Sequence, residues 1–179
     1  MAKFIAFLRA INVGGHIVKM DQLRELFAAM GFANVETFIA SGNVIFETKS
    51  KDSKALQLQI EKHLLKAVGY EVATYVRTVD ELARVAKYQP FSDSELNAEG
   101  NTLYVGFIAD SPGKPAAQKV AALATDVDGL KVHGREVYWL CRTSFSDSKI
   151  SGPLLERTLG VKVTFRNIHT VRRMVKKYS

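Results

Sequence analysis

A loop near the start of the sequence carries residue types that can bind an anion. The stretch LRAINVGGHIVKM, residues 8–20, leads from an apolar segment towards a helix and contains Arg9, Asn12, Gly14, Gly15, His16 and Lys19. Glycines before a helix N-terminus can leave backbone N–H groups open to phosphate or carboxylate, and Arg and Lys add positive charge. The stretch has neither the GxxxxGK(S/T) pattern of a P-loop nor the GxGxxG pattern of a dinucleotide fold. A loop that only turns the chain, capped by Asn12, is the competing interpretation.

The sequence contains few of the motifs that are typical of catalytic, metal-binding or cofactor-binding sites. The four histidines form no His-x-x-x-His pair, the carboxylates do not cluster, and no GxSxG motif is present. We therefore expect no metal and no cofactor, and name no catalytic residue. A group of Ser41, His16 and Asp21 is conceivable, but nothing in the spacing fixes its geometry. Cys141 is the single cysteine, so an internal disulfide and a cysteine metal cluster are excluded, and its strand-like context favours packing.

The charge of the chain is positive and unevenly placed. The 179 residues carry a formal net charge of +7, and residues 161–179 contain six basic residues and no acidic one. This balance favours an anionic small molecule or a nucleic acid as partner, although a solvated basic face on the last helix is an equal interpretation. No apolar run approaches the roughly 18 residues of a membrane span, so we expect a cytoplasmic protein without a membrane partner. The oligomeric state cannot be predicted.

Hydrophobic periodicity predicts the same order of elements twice. In the first half we expect strands over 3–8, 35–40, 43–48 and 71–77, helices over 19–30, 53–68 and 79–88, and a tight turn at Ser41–Gly42. In the second half we expect strands over 103–109, 130–133, 136–141 and 161–166, and helices over 115–125, 152–159 and 168–178. Each half reads βαββαβ plus a helix, so the sequence predicts an α+β fold of two ferredoxin-like subdomains made by internal duplication. Their predicted extents are 1–89 and 102–179, joined by a linker over 90–101.

The predicted topology brings distant polar residues together. A ferredoxin-like sheet has the antiparallel strand order 4-1-3-2, so the first loop and the turn between strands two and three share one edge. Ser41, Gly42 and Asn43 are therefore expected beside the first loop, as one candidate ligand site. The opposite edge is expected to carry a second cluster: Ser146, Ser148, Lys149, Arg166 and Asn167. Helix capping and solvation are the alternative interpretation of that cluster.

Three other functions remain open from the residues alone. The run LYVGFIA, residues 103–109, is similar to the first strand of an RNA-recognition domain, but REVYWLC, residues 135–141, lacks the glycines and spacing of the third-strand motif. A small-molecule enzyme with a cleft between the two subdomains is a second possibility. A structural or interaction protein acting through its basic C-terminal helix is the third.

Several longer stretches resemble one bacterial protein family. FLRAINVGG (7–15), KMDQLRELFAAMGF (19–32), VETFIASGNVIF (35–46), DSKI (147–150) and VTFRNIHTV (163–171) are similar to the domain-of-unknown-function 1697 family. The resemblance covers essentially the whole chain and implies two α-β plait subdomains, which agrees with the duplicated unit. It implies no activity, substrate or catalytic residue. Ile17 departs from the polar residue that often follows the glycines and histidine in the family.

Overall fold

The structure, a computed structural model, describes residues 1–12, 15–142 and 148–179. The chain divides into two compact units, of which the first comprises Met1–Leu82 with Tyr178–Ser179 and the second comprises Ala83–Lys177. The first half contains β1 (Ala2–Leu8), α1 (Met20–Ala29), β2 (Ala33–Thr37), β3 (Asn43–Thr48), α2 (Ser53–Val68), β4 (Thr74–Thr78) and α3 (Val79–Lys87). The second half contains α4 (Asp93–Asn97), β5 (Thr102–Phe107), α5 (Lys114–Ala121), β6 (Asp128–His133), β7 (Glu136–Cys141), α6 (Gly152–Leu159), β8 (Thr164–Asn167) and α7 (Ile168–Tyr178).

Each unit is built on a four-stranded antiparallel sheet. The strand orders are β2-β3-β1-β4 and β6-β7-β5-β8, so the predicted order 4-1-3-2 occurs in both. The prediction of an α+β fold with two similar ferredoxin-like subdomains is confirmed. One side-chain contact is repeated as well: the buried Arg77 donates to the carbonyl of Val76 at 3.1 Å, and the buried Arg166 donates to the carbonyl of Phe165 at 2.9 Å.

The core of the first unit lies between its sheet and helices α1 and α2. Alternate residues of β1, Phe4, Ala6 and Leu8, pack with Leu23 and Phe27 of α1. The outer residues of α1 are polar or alanine and the inner ones are larger and apolar, which is the pattern that makes a helix bury one face. Burial of this face, and not helix propensity, holds a ten-residue helix on the sheet.

Helix boundaries in both units follow capping chemistry. Asp52 accepts hydrogen bonds from the N–H groups of Lys54 and Ala55 at 3.1 and 3.0 Å, which fixes the start of α2. Gly69 and Gly160 adopt left-handed conformations after α2 and α6. Glycine takes this conformation without a Cβ penalty, so both helices end where predicted.

The predicted tight turn at Ser41–Gly42 is wrong. β2 ends at Thr37, and residues 38–42 form a longer loop. Within this loop Ile39 and Gly42 have positive φ, and the side-chain amide of Asn43 donates to the carbonyl of Phe38 and to Ser41 Oγ, each at 2.9 Å. These hydrogen bonds support a chain path that a two-residue turn cannot take.

Other elements differ from the prediction at their ends. β4 and β8 begin at Thr74 and Thr164, three residues later than expected. α5 ends at Ala121, because the following residues turn into β6 and the N–H of Thr125 donates to the carbonyl of Asp128 at 2.9 Å. The predicted linker contains α4, which begins with a capping box between Ser92 and a glutamate three residues later.

Candidate functional site

Three loops meet at the end of the first sheet where β1 finishes. The N–H of Leu8 donates to the carbonyl of Gly42 at 2.8 Å, and the N–H of Arg9 donates to the carbonyl of Ala73 at 2.9 Å. We call residues 9–19, 38–42 and 69–73 the top loops; residues 13 and 14 lie outside the described ranges. The sequence predicted the meeting of the first two loops. It missed the third, although the antiparallel start of β4 places residues 69–73 at the same edge.

Gly42 packs directly against the first loop and the end of β1. Its φ is +81°, and a Cβ at this position would lie 3.0 Å from Ile11 Cγ2 and 3.1 Å from Leu8 Cβ. Ile11 is 2% exposed, so its side chain is a buried anchor and not a ligand contact. The first loop is therefore packed against the 38–42 loop through its apolar residue.

Three further contacts involve described residues of the first loop. Asn12 Oδ1 accepts a hydrogen bond from the N–H of Val18 at 2.7 Å, and the Tyr70 hydroxyl donates to the carbonyl of Ile11 at 2.8 Å. The His16 ring stacks on the Tyr70 ring with centroids 3.9 Å apart. Burial raises the pKa of the Tyr70 hydroxyl, which keeps it protonated as a donor. Tyr70 was not predicted, because its role depends on the third loop.

The predicted site residues divide into exposed and buried groups. The exposed ones are Asn12, Gly15, His16, Lys19 and Ser41; Arg9 is half-buried, Gly42 and Asn43 are buried, and Gly14 lies outside the described residues. The side chains of Asn12 and Asn43 already bond to the chain. Both amides therefore stabilise the loops, and the exposed polar surface belongs mainly to His16 and Lys19.

The start of α1 lies in the first loop. Lys19 is the N-cap residue, with an extended backbone at φ −67° and ψ 147°, and its side chain makes no capping hydrogen bond. In the described part of the chain, no side chain accepts from the N–H groups of the first turn, which contrasts with the Asp52 cap of α2. The carboxylate of Asp21 in this turn is paired with Arg24. Free N–H groups carry the positive end of a helix dipole.

In the second predicted cluster, Ser148 bonds to a buried carboxylate of the sheet. Ser148 Oγ donates to both carboxylate oxygens of the buried Asp128 at 2.8 Å, and Trp139 Nε1 donates to Asp128 Oδ1 at 2.8 Å. Ser148 thus helps to fix the chain before α6. Lys149 is exposed, and Ser146 lies outside the described residues.

Arg166 and Asn167 also contact their own segment of the chain. Arg166 Nη1 donates to Thr164 Oγ1 at 2.8 Å, and Asn167 Oδ1 accepts from the N–H of His169 at 2.9 Å, near the start of α7. Burial lowers the pKa of the Arg166 guanidinium to about 10, so this group remains charged at neutral pH. These contacts favour capping and framework roles for the described members of the cluster.

The remaining predicted groups have separate partners. Within the conceivable Ser41, His16 and Asp21 group, Ser41 accepts from Asn43, His16 stacks on Tyr70, and Asp21 pairs with Arg24. Cys141 is buried, as its strand context indicated.

Across the described ranges, no three His, Cys, Asp or Glu side chains are grouped so that they could hold a metal ion. None of the helices in these ranges is both long and apolar enough to cross a bilayer.

The aromatic residues of the second sheet do not form the surface of an RNA-recognition domain. Tyr104 and Trp139 pack with the apolar core that includes Leu155 of α6. On the strand β7, Tyr138 is 1% exposed and lies beside Tyr88, with ring centroids 5.0 Å apart. RNA-recognition domains stack bases on exposed aromatic residues of these strands. The described aromatic side chains are therefore used for packing.

The final helix separates its apolar and basic residues. Ile168, Val171, Met174 and Tyr178 are buried, and Arg172, Arg173, Lys176 and Lys177 are exposed. Basic residues in the last turns of a helix also interact favourably with its dipole. This arrangement fits a solvated face as well as a polyanion surface.

Comparisons with known proteins place the chain in a family. In fold it is similar to the conserved bacterial protein SP0830 from Streptococcus pneumoniae, with a TM-score of 0.71 and 20% sequence identity over 98% of this chain and 97% of that one. No curated protein matches the sequence. The family model described as protein of unknown function (DUF1697) matches residues 1–138, which confirms the resemblance seen in the sequence motifs. The chain therefore belongs to the DUF1697 family.

Proposed function

We propose that the first unit binds a phosphate-bearing or other anionic ligand, such as a nucleotide or nucleic acid, at the top loops. The observation that carries this proposal is a division of roles within the first loop. Ile11, Asn12 and Tyr70 hold the loop in place, while His16 and Lys19 remain exposed beside the start of α1. Contacts that already fix the described residues of the loop lower the conformational entropy that these residues lose on binding.

The electrostatics of this loop favour a negative ligand. Lys19 and Arg9 each carry a positive charge, and the first-turn N–H groups of α1 add a partial positive charge. An anion at an exposed helix N-terminus gains about 0.3–1 kcal/mol, and a hydrogen bond to a charged group contributes about 1.5–3 kcal/mol. Two hydrogen bonds to charged groups, at about 2 kcal/mol each, give an affinity for bare phosphate on the order of 1 mM. A ligand that makes further contacts should bind more tightly.

Isothermal titration calorimetry with inorganic phosphate, a nucleoside monophosphate and a single-stranded oligonucleotide tests the proposal. Lys19→Ala and Arg9→Ala should each weaken binding by about ten-fold or more. Lys51→Ala is the matched control, because Lys51 is exposed in the loop between β3 and α2, at the other end of the sheet. Circular dichroism of each variant establishes that it is folded.

The outcome can contradict the proposal in two ways. Binding of all three ligands that is unchanged in both loop variants would place the site elsewhere. Equal weakening by Lys51→Ala would show a nonspecific charge effect. Salt distinguishes the ligand classes, since oligonucleotide binding should weaken steeply with salt concentration and binding of a small anion much less.

A further inference from the structure

We propose that the open edge of strand β6, in the second unit, binds an extended acidic peptide as an added strand. The edge borders a groove of about 230 Å³ between α5 and β6. We call this the β6 groove, and its lining includes Lys114, Ala117, Gln118, Ala121, Leu130 and Val132. This proposal is independent of the anion-binding loops of the first unit.

The register of β6 shows which backbone groups point away from the sheet. β6 is the last strand in the order β6-β7-β5-β8, and the two-residue turn 134–135 joins His133 to its partner Glu136. Residues that flank a two-residue turn form a hydrogen-bonded pair, and pairing alternates along an antiparallel ladder. Lys131 therefore bonds to β7, while the N–H and C=O groups of Leu130 and Val132 point outward.

The chain itself closes one end of this edge. Thr125 donates its N–H to the carbonyl of Asp128 at 2.9 Å, and Thr125 Oγ1 accepts from the N–H of Asp128 at 3.1 Å. Further along β6, no described residue bonds to the outward groups of Leu130 and Val132. Leu130 is only 6% exposed and Val132 is half-buried, so Val132 is the more accessible position of this edge. An added strand would supply the missing partners.

The shape of the β6 groove suits one apolar side chain of such a strand. Ala117 and Ala121 lie one turn apart on α5, and their small side chains leave space opposite Leu130 and Val132. Side chains of an added strand alternate between the two faces of the sheet. Every second residue of the peptide would therefore enter the groove, and the residues between would face the other side.

Charge identifies the kind of peptide. Lys114 lies at the groove, at the first residue of α5. The ammonium of Lys131 lies 5.6 Å from the ring centroid of Tyr88. Of the described residues that line the groove, none carries a carboxylate. A lysine on an edge strand disfavours added strands that are basic or purely apolar, because its charge must be compensated. An acidic strand compensates it, so the same feature selects the partner.

Fluorescence anisotropy with an array of labelled heptapeptides tests this inference. In the array, Glu alternates with Val, Leu, Ile or Phe, and a matched array has Lys in place of Glu. Val132→Pro removes the outward N–H at a position where an edge strand tolerates proline, and Val132→Thr is its control with the N–H retained. Lys131→Ala tests the charge, because Lys131 faces the side of the sheet that the Glu residues of the peptide would face, and Lys119→Ala is the control, since Lys119 is exposed on α5 and does not line the groove.

We expect binding of acidic members of the array by the wild type and by Val132→Thr. Val132→Pro should weaken it by about ten-fold or more, and Lys131→Ala by about two- to five-fold. Hydrogen exchange at the amides of Leu130 and Val132 should slow when peptide is added, a readout that does not depend on the proline variant folding. Lys19→Ala should bind peptide as the wild type does, which separates this site from the top loops.

Four results would overturn the inference: no binding across the acidic array, equal binding of the basic array, unchanged binding by a folded Val132→Pro variant, or no protection of the two amides. A fifth concerns the occupant. If sedimentation equilibrium shows a dimer of the wild type that Val132→Pro abolishes, a second copy of the chain occupies the edge in place of an acidic peptide.

Discussion

Replacing Gly42 by alanine measures how tightly the first two top loops are packed. Gly42 has φ +81°, where an L residue costs about 1–2 kcal/mol. The new Cβ would also lie 3.0 Å from Ile11 Cγ2, 3.1 Å from Leu8 Cβ and 3.2 Å from the carbonyl oxygen of Leu8. Crowding of this kind in a packed region costs about 1–3 kcal/mol. The expected loss in the free energy of unfolding is therefore about 2–5 kcal/mol.

Gly69→Ala is the matched control, because it isolates the backbone cost. Gly69 has φ +84°, and a Cβ there would meet nothing within 4 Å. Its replacement should cost only about 1–2 kcal/mol. Urea unfolding followed by far-ultraviolet circular dichroism gives both values. Fluorescence of Trp139, which lies in the second unit, reports unfolding of that unit separately.

The difference between the two variants is the decisive quantity. If Gly42→Ala costs the same as Gly69→Ala within about 0.5 kcal/mol, the loops do not press on each other as the distances indicate. Thermal unfolding gives a second measure, since a difference of 1 kcal/mol corresponds to about 2–4 °C for a chain of this size.

Three further predictions concern single contacts. Tyr70→Phe removes the hydrogen bond to the carbonyl of Ile11 and should lower the free energy of unfolding by about 1 kcal/mol in urea titrations. The side-chain hydrogen bond from Arg142 holds the pKa of Glu95 below its ordinary value, so Glu95 stabilises the fold above pH about 4.3 and this stabilisation is lost as the pH falls through the lower folded pKa. Glu95→Gln should therefore show a smaller loss of stability on acidification. Gly106→Ala would place a Cβ 2.6 Å from Cε1 of Phe165 in β8 and should lower the free energy of unfolding in urea by about 1–3 kcal/mol.

Each of these predictions has a control or a contrary result. Tyr70→Phe without any loss of stability would mean that the hydroxyl does not hold the loop. The same acid sensitivity in Glu95→Gln and the wild type would mean that other carboxylates dominate. Gly152→Ala is the control for Gly106, because a Cβ at Gly152 meets nothing within 4 Å. Equal effects of these two glycine substitutions would contradict the packing argument.

The regular elements could be predicted because local signals and tertiary packing agree. The predicted bounds of α2, α6, α7, β3 and β7 match the structure. Left-handed glycines end two of these helices, and apolar periodicity marks their buried faces. The repeated order of elements then determined which loops share a sheet edge.

The remaining features depend on contacts that a sequence pattern does not contain. The 38–42 loop is held by the amide of Asn43, which the strand pattern places only as one residue of β3. Tyr70 follows a helix stop and becomes a loop anchor through a hydrogen bond to a residue 59 positions away. The Ser92 capping box of α4 did have a local signal, the spacing of Ser and Glu, which the interpretation as a linker overlooked.

The unequal turns of the two sheets have a consequence for how the chain can change. In both units an N–H group at the end of the first strand donates to the carbonyl of the last residue of the neighbouring turn. In the first unit Leu8, the last residue of β1, donates to Gly42 at 2.8 Å. In the second unit Ile108, which follows β5, donates to Arg135 at 3.1 Å. The first unit closes this point with residues 38–42 and the second with residues 134–135. The shared anchor closes the sheet with either turn, so the length of this turn can differ while the strand order stays the same.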